Sequence, residues 1–132
     1  DFEELLEFLQ KSRFEHAGFF KFSPEEGARA SKNSNQVPQK IKERRRRALH
    51  SFQRKISENI NKNRINQSLK ILIDGPSPEF ELLSCGRASF QAPEVDGLIY
   101  FEGIQPESGK FVKATIQSAK GFDLLAHLDK EE

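Results

Sequence analysis

The chain has 132 residues, 36% of them apolar, with a net charge of +1, one cysteine and no methionine. Length and composition predict one compact domain with an appended piece; they exclude a membrane-spanning helix, an internal disulfide, and a metal or cluster site built on Cys85 alone, since such sites take about three or four ligands. The small net charge hides a segregation: residues 1–37 carry five basic and seven acidic side chains, residues 38–64 ten and two, and residues 65–132 six and eleven, so a basic rod separates two acidic parts.

The opening FEELLEFLQKSRF places Phe2, Leu5, Leu6 and Leu9 at helical spacing, with Glu3, Glu4 and Glu7 toward the end where the helix dipole favours them. AGFFKF, residues 17–22, follows and reads as a short buried strand. One helix and one strand bury no core of their own. Together they predict the last αβ unit of a larger parallel α/β structure, and a chain that starts at Asp1 reads as a piece of a longer protein. With no basic-then-apolar leader, the expectation is a soluble cytoplasmic protein with no membrane partner. Residues 23–37 show no periodicity and read as a loop.

Pro38 supplies a favourable first helical position. From it Ile41, Ala48, Leu49, Phe52, Ile56 and Ile60 recur every three to four residues, predicting a long helix with one narrow apolar stripe. Its run Arg44, Arg45, Arg46 and Arg47 reads either as a nucleic-acid contact or as a solvated face, because consecutive helical residues point in different directions.

From Gln67 the period changes to two. Leu69, Ile71 and Ile73 alternate; FELLSCGRASF, GLIYFEG, FVKATIQS and FDLLAHL follow, with Phe111, Ala114 and Ile116 roughly alternating and Asp96-Gly97 as the strongest hairpin signal. Five short antiparallel strands suit a small, partly open barrel of the OB type better than a two-sheet sandwich. Cys85 reads as a small buried strand residue.

No constellation here runs a reaction. His16, His50 and His127 lie on different elements without metal-ligand spacing, and nucleotide-binding glycine patterns are absent. Glu94 and Asp96 sit in a turn open to water, so a recognition or turn-forming role is expected of them rather than acid–base catalysis.

The segments FFKFSPEEGARA, QVPQKIKERRRRAL, GRASFQAPEVDGLIYFEG and GKFVKATIQSAKGFDLLAHL resemble the C-terminal part of the radical-SAM methylthiotransferases, and within them the branch that modifies a ribosomal protein, RimO. The resemblance covers nearly the whole chain. It implies the end of a radical-SAM barrel at residues 1–30, a loop and basic linker helix at 31–64, and a TRAM domain, an OB-like barrel, at 65–132. It further implies two four-iron clusters and S-adenosylmethionine in the complete enzyme, a methylthio group placed on an aspartate β-carbon of a small-subunit ribosomal protein, and upstream modules of the same chain as partners. The cluster cysteines of those modules are not among these residues, so the chain alone is expected to be inactive. Where the family often reads YSPEEGTPA, this chain has Phe22 and then Ala28-Arg29-Ala30.

Charge separates the two branches of that family. A barrel that grips tRNA needs basic surface, because phosphate neutralisation supplies most of the affinity. Residues 65–132 are acidic, and an acidic surface attracts a ribosomal protein rich in Lys and Arg. Glu94, Asp96 and Glu102, beside Arg87, Phe90 and Tyr100, are therefore the candidate docking residues, with barrel packing as the competing role for Phe90, Leu98 and Phe101. Two other readings stand: an RNA-binding module, as in the tRNA-modifying branch MiaB, whose working part is Arg44 to Arg47, and a structural strut in which the basic helix pairs with the acidic parts.

Overall fold

The structure is a computed structural model that describes residues 1–102 and 107–129. The chain divides into two compact units, residues 1–56 and 57–132, the boundary falling inside one helix.

In the first unit, α1 (Phe2–Ser12) is the expected amphipathic helix. It stops at Arg13, whose φ of 49° and N–H bond of 2.9 Å to the Leu9 carbonyl form a left-handed C-terminal cap. Residues 17–22 are not a strand: no neighbouring strand in the unit offers them a ladder, and Phe20 stands 95% exposed. Helix α2 (Gln39–Lys62) satisfies part of this segment instead. His50 contacts the Phe19 carbonyl at 3.3 Å, and the Lys42 ammonium donates to the Phe22 carbonyl at 3.0 Å. The expected loop 23–37 contains a short 3₁₀ helix, Arg29–Lys32.

Helix α2 spans 24 residues, about 36 Å at 1.5 Å per residue. Pro38 lies just before it, and its carbonyl accepts the first turn's bonds from Ile41 and Lys42. Leu49 and Ile56 are buried as the stripe requires, but Ala48 is exposed and polar residues share the buried face: Gln53 and Ser57 are fully buried and Asn61 nearly so.

In the second unit, β1 (Ser68–Pro76), β2 (Ser84–Ala88), β3 (Ile99–Phe101), β4 (Phe111–Lys120) and β5 (Asp123–Leu128) form a closed barrel in the order β1-β2-β3-β5-β4. All five expected strands are present. Four junctions are antiparallel; the fifth, β3 with β5, is parallel and closes the barrel that the sequence reading left partly open. Ile71, Ile73, Ala88, Ile99, Phe101, Ala114, Ile116, Leu124 and Ala126 fill the interior. Phe111 belongs to the other parity: Val112 turns toward the core and Phe111 is 62% exposed.

Candidate functional site

The register decides where each candidate residue lies. Ser84 pairs with Phe101 and Gly86 with Ile99, so the residues before β3 lie beyond the end of β2, whereas Glu102 lies beside its start. Glu94 and Asp96 are thus at one end of the barrel and Glu102 at the other. They do not form one patch.

Glu94 is exposed and adopts φ 62°, supplying the left-handed turn position that the sequence assigned to Asp96-Gly97. Asp96 works on its own loop, its carboxylate accepting the Ala92 N–H at 2.7 Å. Gln91, buried and absent from the sequence reading, ties the same loop down: its side chain accepts from Ala88 N–H at 3.0 Å and donates to the Gly97 carbonyl at 2.7 Å. The polar side chains here organise the connection between β2 and β3.

Tyr100 faces away from the core, opposite Cys85 on the neighbouring strand. Both are nonetheless buried, because the loop between β1 and β2 lies over them, with the Phe80 ring edge-on to Tyr100 at 5.4 Å. Burial, reinforced by Asp123 and Glu79, pushes the phenol up to about 12. Burial likewise raises the Cys85 thiol, which keeps it protonated and unreactive at neutral pH.

Arg87 pairs with Asp74 at 2.7 Å and lines an open groove of about 450 Å³ together with Lys70, Leu72, Phe90 and Phe111. Cations cover both rings. The Arg64 guanidinium lies 3.9 Å from the centre of Phe90, and the Lys70 ammonium 4.6 Å from that of Phe111. Lys113 sits directly across from Lys70 in the β1–β4 register. Arg64, Lys70 and Phe111 were missed from sequence because they lie far apart along the chain; the one available signal was that Phe111 and Lys113 share a strand parity.

In the first unit the arginine run is largely engaged. Glu43 holds Arg46 at 2.7 Å, Arg47 at 3.1 Å and Lys21 at 3.1 Å, and these cations keep its carboxyl ionised far below the usual range. Arg45 lies over the Phe2 ring at 5.4 Å, and Arg44 is exposed.

Among the described residues, no group of three or more His, Cys, Asp or Glu side chains converges on a metal position, and no helix is long and apolar enough to cross a membrane.

A TRAM domain model matches residues 65–128, the segment that forms the barrel. The chain is 39% identical over 128 residues to ribosomal protein uS12 methylthiotransferase RimO of Myxococcus xanthus (strain DK1622), covering 97% of this chain and 27% of that protein. Against proteins of the same name it is 41% identical in Syntrophus aciditrophicus (strain SB), over 96% of this chain and 28% of the relative, and 38% identical in Aquifex aeolicus (strain VF5), over 94% and 29%. The chain therefore spans a little over a quarter of the length of the curated relatives it matches.

Proposed function

Because residues 65–128 form a TRAM domain and the chain as a whole is similar to the TRAM-bearing part of the RimO methylthiotransferases, we propose that it is the substrate-recognition region of such an enzyme. In this reading the complete protein methylthiolates an aspartate β-carbon of ribosomal protein uS12, the barrel docks that protein, and residues 1–30 complete a radical-SAM barrel formed by upstream sequence. The observation that carries it is charge: residues 65–132 hold eleven acidic against six basic side chains, which suits a Lys- and Arg-rich protein and opposes a polyanion.

The chemistry itself lies outside this chain. Iron–sulfur clusters take about three or four thiolates, and the one thiol here is a buried strand residue with a raised pKa. These residues do not fit a cluster; in this reading upstream modules hold the clusters and S-adenosylmethionine, and the chain alone is expected to be inactive.

A second reading, RNA recognition, is favoured by one specific observation. It centres on the groove of Arg87, Lys70, Phe90 and Phe111 rather than on Arg44 to Arg47, since two of those four arginines are held by Glu43. Stacking faces and phosphate-binding cations are what single-stranded RNA engages.

Titrating the chain against purified uS12 and separately against tRNA, at low and physiological salt, distinguishes the two. Saturable binding to uS12 with weak tRNA binding is expected; strong, salt-sensitive tRNA binding with none to uS12 would falsify the first reading.

A further inference from the structure

The β1–β2 loop, residues 77–83, reads SPEFELL and alternates carboxylates with apolar side chains, without a single cation. It is closed at its base, where Ser77 N–H donates to the Leu83 carbonyl at 2.8 Å. Inside the loop, the Ser77 hydroxyl oxygen accepts the N–H groups of Glu79 and Phe80 at 3.2 and 3.0 Å. A third tie is the Phe80 ring on Tyr100. So built, the loop still leaves Phe80 50% and Leu82 84% exposed. An organised loop that holds two large apolar groups in water between Glu79 and Glu81, with Glu102 at the same end of the barrel, has the makeup of a binding anchor: an apolar centre, a charged rim and little ordering left to do on binding.

We propose that this loop, rather than the Glu94–Asp96 turn, is the anchor through which the barrel docks its protein partner. Leu82 and Phe80 enter an apolar pocket on the partner, and Glu79, Glu81 and Glu102 face its Lys and Arg side chains. The occupant is a basic protein because the rim carries one sign of charge; a polyanion would be repelled by it. This rests on the proposed function, which supplies uS12 as the partner.

The test measures affinity of the 132-residue chain for purified uS12, comparing wild type, Leu82→Ser, the double variant Glu79→Lys/Glu81→Lys, and Val95→Ser, which alters an equally exposed apolar residue at the opposite end of the barrel. The expected result is at least about tenfold weaker binding for the two loop variants with unchanged melting temperature, and wild-type affinity for Val95→Ser. Wild-type binding that all the variants share overturns the anchor while leaving the proposed function standing. No wild-type binding at low salt overturns both. If Leu82→Ser changes the chain's self-association in sedimentation and leaves uS12 affinity alone, the loop's partner is a second copy and the proposal is wrong.

Discussion

A Cβ built on Gly97 would stand 2.0 Å from the carbonyl oxygen of Phe122, nearer than any two such atoms approach. The glycine is there for contact and not for a turn: its φ is outside the left-handed region that Gly75, Gly109 and Gly121 adopt. The approach brings the β2–β3 loop against the β4–β5 turn, where Leu98 N–H donates to the Asp123 carboxylate at 2.9 Å and the Asn61 amide donates to the Phe122 carbonyl at 3.3 Å. Gly97→Ala is expected to lower unfolding free energy by about 2 kcal/mol or more, as overpacking against backbone does. Urea unfolding checks it; a change under about 0.5 kcal/mol would mean that the two loops part freely.

Tyr100 is the chain's one tyrosine, and there is no tryptophan, so its phenolate absorbance reports a single site. Native protein should ionise it near 12, against about 10 for a free phenol. A folded pKa above the unfolded one gives a contribution that is complete below pH ~10 and is lost as pH rises through the folded value. Phe80→Ala, by uncovering the ring, should bring the absorbance midpoint down toward 10; an unchanged midpoint would show that the loop does not shield it.

Asp129 accepts hydrogen bonds from the hydroxyls of Ser68 and Thr115, the latter at 2.6 Å, joining the end of β5 to β1 and β4. These bonds, Ser68 first, lower its pKa. The contribution is therefore present above the ordinary aspartate value of about 3.9 and is lost as pH falls through the lower folded value. Asp129→Asn should flatten the acid limb of a stability-against-pH curve below about pH 4 relative to wild type. Parallel curves would count against the assignment.

Glu43 occupies Lys21, Arg46 and Arg47 together. Removing its charge in Glu43→Gln should release two arginines of the basic run and raise affinity for single-stranded RNA severalfold at low salt, with a steeper salt dependence. Equal affinity and slope in both proteins would show that the carboxylate does not hold these arginines back.

Period-two alternation in residues 67–128 was enough to predict five strands and the interior positions Ile71, Ile73, Ala114 and Ile116, because inward and outward positions differ in hydropathy whatever the topology. Helical spacing similarly placed α1 and α2. Periodicity carries no direction, so the parallel β3–β5 junction was invisible, and so was the separation of Glu94 from Glu102 that register imposes. AGFFKF was misread because a strand needs a neighbour for its backbone, which no local pattern supplies. Net charge was legible by counting. Its distribution was not: folding gathers Arg64, Lys70, Arg87 and Lys113 with two phenylalanines on an acidic barrel, and sets Phe80 and Leu82 apart between carboxylates. The sequence alone determined α1, α2 and the five strands, since those follow from local chemistry. Only the tertiary structure decided which side chains share a surface, because that depends on strand pairing between residues distant in the chain.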